Sequence, residues 1–457
     1  MRYHSTRNKK LNFSFKEVFQ RGLAPDGGLF IPSEIPKYNA NDLEKLKKLS
    51  YVDLASEILF NFCKPDFDKD TLNSLISKSY KSFKSKDVVT LKKLSNLNFL
   101  ELYHGPTLAF KDIAMQVIGN LFEQSDILKE ETLNIIVATS GDTGSAAISA
   151  LNDRKNVNLF VLHPHNKISN MQRKIMTTIG SKNIFNIAVE GTFDDCQKIV
   201  KEMFSDEGFR KKIKMSGVNS INWARIICQI VYYFFVALKN SNEKFNFSVP
   251  TGNFGDIYAG YMAKKMGLPI NKLIVATNEN DILQRVINTG NYKPSKVKSS
   301  LSPSMDIQVA SNFERLLFYI LDNNDKKLSE LMRSLKDKGS FQLEDSMVKK
   351  IKEDFCAEKI SDQETLKIIR EFDQEHNFII DPHTATGIGA AKKIQNSSKT
   401  IVLATAHPYK FLETVKEATG KSISSPTQLK SLKNKEKFDV IENNISKIKS
   451  YIIERAI

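Results

Sequence analysis

Only four cysteines occur in 457 residues, at positions 63, 196, 228 and 356, and no two of them form a Cys-x-x-Cys pair. No histidine spacing completes a zinc site either. These gaps exclude a disulfide framework and a structural metal, and they point to reduced, mostly buried thiols in a reducing compartment. The amino terminus, Met1-Arg2-Tyr3-His4-Ser5-Thr6-Arg7-Asn8, lacks the apolar stretch of a signal peptide. Long hydrophobic runs are also missing. The longest, Ile226 to Leu238 with Gln229 inside it, falls short of the roughly 20 residues that a bilayer requires and reads as a buried helix. Arginine-rich tracts are absent. The net charge of +15 comes from lysines scattered along nearly the whole chain and not from one concentrated basic motif. Such an excess attracts anions in general but builds no nucleic-acid site. A cytoplasmic protein without a membrane or nucleic-acid partner is expected.

What is present is an ordinary globular composition, 41% hydrophobic and 26% charged, in a chain long enough for two or three domains. Residues 1–94 read as a mostly helical amino-terminal domain. Phe15 to Gln20 is helical in pattern, and Gly22 to Pro32 is a turn closing into a short strand. Between 41 and 85 apolar residues recur at helical spacing, as at Leu43, Leu46 and Leu49, then Leu54, Ile58 and Leu59. From residue 95 short apolar strands alternate with helices: Phe99–Tyr103, Leu133–Ala138, Val157–Leu162, Ile184–Val189, Phe245–Val249, Leu273–Ala276 and Thr400–Ala404. That alternation predicts an α/β catalytic domain over 95–425, with mainly parallel sheets covered on both faces. The lysine-rich interval 290–350 reads as an insertion or surface subdomain, and 426–457 as a charged tail of helical pattern.

Five turns carry residues suited to chemistry. In His104-Gly105-Pro106-Thr107-Leu108-Ala109-Phe110-Lys111-Asp112, Lys111 follows a strand and is flanked by Ala109 and Phe110. An amine in such apolar surroundings loses hydration, so its pKa falls and it can act as nucleophile or base. In Thr251-Gly252-Asn253-Phe254-Gly255-Asp256 two glycines let backbone amides approach an anion ahead of a helix. The spacing is neither a P-loop nor a dinucleotide fingerprint and suits one phosphate monoester, although a plain strand-to-helix turn is the favoured reading of this motif taken alone. Thr139-Ser140-Gly141-Asp142-Thr143-Gly144 could bind a carboxylate or a ring hydroxyl, or Asp142 could simply cap a helix. Asn219-Ser220-Ile221-Asn222-Trp223-Ala224-Arg225 places an arginine, suited to gripping phosphate, on the first turn of the apolar helix. Thr405 is a neutral hydroxyl at a strand end. A lysine, a single-phosphate cup and a hydroxyl together match the needs of pyridoxal phosphate: an amine for its aldehyde, a cradle for its phosphate and a partner for its ring nitrogen.

The ordered set of these motifs, together with Gly22-Leu23-Ala24-Pro25-Asp26-Gly27-Gly28-Leu29 and Thr405-Ala406-His407-Pro408, resembles the threonine synthase family, in its longer class with an extra amino-terminal domain. That family lies within the fold type II, tryptophan-synthase-like pyridoxal phosphate enzymes. The likeness runs from about residue 2 to about residue 420. It implies two open, mainly parallel αβα subdomains with pyridoxal 5'-phosphate between them, and conversion of O-phospho-L-homoserine and water to L-threonine and phosphate by a monomer or homodimer. By position, it implies Lys111 as the cofactor-bearing lysine. Gly252, Asn253, Phe254, Gly255 and Asp256 would lie at the cofactor phosphate, and Thr405 at the ring nitrogen. Thr139, Ser140, Asp142, Thr143, Asn219, Ser220 and Arg225 would contact the substrate. Two positions depart from the pattern: Tyr409 follows His-Pro where a small residue is common, and Asp142 replaces the asparagine of the wider fold family. The competing expectations are a dehydratase of the same fold and a catalytically silent binder of a phosphorylated metabolite.

Overall fold

The computed structural model describes residues 1–94, 97–124, 132–240, 244–394 and 399–456. Two parallel sheets organise it. The larger has six strands in the order Phe355–Lys359, Ile270–Thr277, Phe245–Pro250, Thr400–Ala404, Leu97–Glu101 and Thr90–Leu94. Every neighbouring pair is parallel except the last, where Thr90–Leu94 runs antiparallel along the edge. The smaller sheet is parallel throughout, in the order Asp439–Glu442, Ile184–Glu190, Val157–Pro164, Leu133–Ala138 and Met215–Ser216. Its three central strands are mostly apolar and largely buried, as expected where helices cover both faces. The α/β architecture with two open subdomains is therefore present.

The long apolar helix, Trp223–Lys239, is buried along its whole length from Trp223 to Leu238. A helix apolar all round belongs in a core, and this one packs against helices Tyr51–Cys63, Lys111–Gln124 and Gly255–Lys265. It thereby joins the amino-terminal region to the larger subdomain: Trp223 meets Tyr3 and Phe62 edge-on at 6.2 and 5.9 Å. No helix among the described residues is long and apolar enough to cross a membrane.

Four expectations change. The amino-terminal region carries, beside its helices, a three-stranded antiparallel sheet of Asn8–Phe13, Tyr3–Ser5 and Phe30–Pro32; its first strand is three residues long, too short for a period-2 pattern to register. The expected boundary at residue 95 lies outside the described residues, and Thr90–Leu94, assigned to the amino-terminal domain, pairs with Leu97–Glu101 in the larger sheet. The interval 290–350 is no surface appendage. Helix Phe313–Ile320 is buried on nearly every side, Arg315 donates to the carbonyls of Phe30 and Ile221, and Glu314 accepts from Thr6 and pairs with Arg7. The tail adds strand Asp439–Glu442 to the smaller sheet, and helix Ile445–Ile453 buries Ile448 and Ile452 beneath it.

Candidate active site

The carboxyl ends of strands from both sheets converge on one cavity, the usual ligand position in open α/β folds. Its lining includes Lys111, Thr139, Ser140, Asp142, Thr143, Asn219, Ser220, Arg225, all of Gly252 to Asp256, and Thr405. The residues expected at the cofactor and the substrate are thus brought to one place, although their side chains do not all point to the same task.

Lys111 is the first residue of helix Lys111–Gln124. The turn before it is held by Asp112, whose carboxylate accepts from the Thr107 amide at 2.8 Å and the Thr107 hydroxyl at 2.6 Å. Gly105 is required there, because a Cβ would lie 2.4 Å from Cβ of Asp112. The segment is strapped to the Thr405 loop: the Phe110 amide donates to the Thr405 carbonyl at 2.9 Å, and the His407 amide to the Leu108 carbonyl at 3.0 Å. Lysine and hydroxyl therefore form one rigid unit. The Lys111 ammonium lies 3.4 Å from Asp142 Oδ2 and 4.7 Å from the Phe110 ring centre. Burial lowers its pKa; Asp142 opposes that fall, while Arg225 and Lys410 reinforce it.

In the glycine turn, a Cβ on Gly252 would sit 2.7 Å from the Ser304 carbonyl oxygen. Phe254 adopts φ +62° just ahead of helix Gly255–Lys265, a left-handed conformation that costs a bulky residue energy. Its ring packs on Phe313 and Phe355, at 5.3 and 5.6 Å between centres. Phe254 therefore offers the cavity backbone only. The Asn253 side chain is also committed, accepting from the Ser311 amide at 2.5 Å and donating to the Ser220 hydroxyl. Asp256 accepts on Oδ1 from the hydroxyls of Tyr232 at 2.5 Å and Tyr233 at 2.9 Å, and its buried Oδ2 has no partner among the described residues. Burial pushes this carboxyl up to about 6.

Across the cleft, the Thr139 hydroxyl oxygen accepts from the amides of Gly141 and Gly144, both at 2.9 Å, and so builds its own turn. Asp142 makes no side-chain cap, which corrects that reading. Its oxygens are instead claimed by the ammonium of Lys410 at 2.6 Å, Gln172 at 3.1 Å, Ser304 at 3.1 Å and Lys111. The helix cap at the third turn is Asn222, accepting from the Ala224 amide. Arg225 behind it is fully buried, its Nε unpartnered among the described residues and its Nη1 only 3.5 Å from the Val218 carbonyl; burial pushes its pKa down to about 10. Tyr409, one of the two departures, packs with Leu108 and Ile175 outside the cavity lining.

The residues fit a pyridoxal phosphate. The buried amine reaches the cavity, the Gly252 cradle leaves no room for a Cβ, and a buried guanidinium whose Nε has no partner among the described residues calls for an anion. Sequence reasoning missed four contributors: Gln172, Ser304, Lys410 and His383. His383 accepts from the Ser304 amide at 3.3 Å on Nε2 and pairs with Asp381 through Nδ1 at 2.9 Å. Only His383 had a local signal, the Asp381-Pro382 start of helix Pro382–Lys393.

Comparison with known proteins agrees with this geometry. Family models match in chain order: threonine synthase N terminus over 2–80, pyridoxal-phosphate dependent enzyme over 88–331, and threonine synthase C-terminal over 384–452. The chain is 42% identical to the threonine synthase of Pseudomonas aeruginosa, covering 99% of this chain and 98% of that protein. It is 44% identical to that of Saccharomyces cerevisiae, over 91% and 88%. The crystal structure of a threonine synthase from Brucella melitensis with bound pyridoxal phosphate superimposes with a TM-score of 0.95 at 40% identity, covering 100% of this chain and 99% of that one.

Proposed function

The chain belongs to the threonine synthase family of pyridoxal-phosphate-dependent enzymes, and from that premise we propose that it converts O-phospho-L-homoserine and water into L-threonine and phosphate. The observation that carries the substrate is the Arg225 guanidinium, buried on the same cavity as Lys111 and the glycine cradle, with its Nε unpartnered among the described residues. When bound, pyridoxal phosphate supplies the electron sink for proton removal at the α and β carbons of an amino acid. Lys111 Nζ would hold the cofactor through its aldehyde, and the same buried amine would take and hold the proton from the α carbon of the substrate. Its burial and lowered pKa support the role of a base. The amides of Gly252 to Asp256, at the positive end of their helix, hold the cofactor phosphate. Thr405 offers its neutral hydroxyl to the ring nitrogen without forcing that nitrogen to carry a proton, which favours elimination and replacement beyond the α carbon over transamination.

Arg225, with Asn219 and Ser220, holds the substrate phosphate, which departs from the γ carbon before water adds at the β carbon. The Thr139–Thr143 turn takes the substrate carboxylate. We read the protein as a cytoplasmic monomer or homodimer without a nucleic-acid partner. The deciding experiment incubates purified holoenzyme with O-phosphohomoserine and assays the products. Stoichiometric inorganic phosphate and threonine are expected; ammonia with a 2-oxo acid would make it a dehydratase, and no turnover a silent binder.

A further inference from the structure

An acidic residue on the wall of a cavity that takes an anionic substrate needs an explanation. Asp142 lines that cavity, and its carboxyl is held well below the usual range by the ammonium groups of Lys410 and Lys111 against the opposing effect of burial. It is therefore a standing negative charge facing a substrate that carries a phosphate and a carboxylate. Lys111 is a poor permanent counter-ion, since its amine is needed for chemistry.

The group left is Lys410. It lies in the short helical turn Pro408–Phe411, downstream of Thr405, and its side chain is fully buried. It is not on the cavity wall. Its Nζ contacts Asp142 Oδ1 at 2.6 Å and donates to the Thr107 carbonyl at 3.0 Å. The pair spans the cleft, because Asp142 belongs to the smaller subdomain and Lys410 follows a strand of the larger one.

We propose that Lys410 is a positioning residue for the reaction: from behind the cavity wall it cancels the charge of Asp142, so that the Ser140–Thr143 turn presents hydrogen-bond donors to the anionic substrate without net repulsion. The inference rests on the function proposed above, but its physical content is anion affinity, which can be read without turnover.

The test titrates holoenzyme with inorganic phosphate, following the cofactor's absorbance, in wild type, Lys410→Met, Asp142→Asn and the double variant. Lys410→Met leaves the carboxylate uncompensated and should weaken phosphate binding about tenfold or more, since like charges brought together in a site are strongly unfavourable. Asp142→Asn should bind phosphate as tightly as wild type or more tightly, although it leaves Lys410 unpaired. The double variant should return to within about threefold of wild type, because removing both charges together leaves no uncompensated carboxylate beside the anion. An ion pair that only braces the fold predicts a different pattern, with both single variants binding phosphate more weakly in step with lost thermal stability; that result overturns the proposal. So does wild-type holoenzyme that shows no saturable phosphate binding. If Lys410→Met does not fold, the double variant decides, and binding more than tenfold weaker than wild type overturns the proposal. If the chain makes no threonine but phosphate affinities follow the expected signs, the substrate assignment fails and the charge cancellation stands.

Discussion

The two glycine turns that face each other across the cleft share one local plan and have opposite electrostatics. Thr139–Gly144 and Thr251–Asp256 each end a buried parallel strand, pass through glycine and place an aspartate in the first turn of a helix. Asp142 is surrounded by two ammonium groups, an amide and a hydroxyl, and stays ionised. Asp256 meets two tyrosine hydroxyls, keeps one oxygen without a partner among the described residues, and is pushed up to about 6. The same residue at the same station thus becomes a fixed charge in one turn and a titrating group in the other. A helix start favours an acid in either case by well under about 2 kcal/mol; the neighbours supplied by other elements decide its charge.

The largest expected effect removes the amine on which both turns converge. Lys111→Ala should lower kcat by about a thousandfold or more and abolish the visible absorbance of enzyme-bound pyridoxal phosphate. An unchanged spectrum would take Lys111 out of its proposed role. Next comes the cradle. Gly252→Ala forces a Cβ against the Ser304 backbone oxygen, and such overpacking costs about 1–3 kcal/mol, to be read as weakened cofactor affinity by fluorescence titration. Gly144→Ala, its counterpart, meets chiefly the Thr139 and Met176 side chains at 2.6 and 2.7 Å. Met176 can shift, whereas Thr139 is held by the two amides it accepts from; the clash spares the backbone at the cradle, so the cofactor affinity of that variant should suffer less. Equal losses would show that the two turns are equally rigid.

The charge difference can be broken by pH. The Asp256 carboxyl titrates higher in the folded chain than in the unfolded one, so the folded state binds more protons between about pH 4 and 6. In cofactor-free protein its contribution to stability therefore falls as pH rises through that window, by up to about 3 kcal/mol for a shift of about two units. Asp256→Asn should remove the fall. Asp142 works with the opposite sign: its stabilisation is present above the unfolded pKa and is lost as pH drops toward its depressed folded value. Asp142→Asn should flatten that acid limb instead. Denaturant melts at several pH values measure both, and slopes of the same sign would refute the contrast. The smallest effect sharpens it. Tyr232→Phe deletes one donor to Asp256, which should cost about 1 kcal/mol and move the midpoint of the Asp256-linked fall upward; an unmoved midpoint would leave Tyr233 as the sole effective donor.

Legibility in the sequence followed the length of the pattern. Strand Thr400–Ala404 matches its expected limits to the residue, and Trp223–Lys239 declared its burial by being apolar on every side. Strands Tyr3–Ser5 and Asp439–Glu442 were missed because three or four residues give no periodicity to measure. The lysines of 290–350 suggested a solvated subdomain, yet Phe313, Leu316, Leu317 and Ile320 already carried the helical spacing of a buried face. In the site, residues in tight glycine turns could be named because turn chemistry is local. Lys410, Gln172 and Ser304 could not, since nothing adjacent to them in the chain records what they touch.

By itself the sequence determined the alternation of parallel strands and helices and the turns at the strand ends, and it offered a candidate amine. Backbone conformation and side-chain reactivity begin as local properties, and for those a few neighbouring residues suffice. The tertiary structure alone decided which groups face each other: that Asp142 meets Lys410 while Asp256 meets Tyr232 and Tyr233, that Asn253 and Phe254 turn their side chains into the scaffold, and that Arg225 buries a nitrogen without a partner among the described residues. Charge state and ligand affinity depend on desolvation and on distances of a few ångströms between elements remote in the chain, and those distances exist only once the chain is folded.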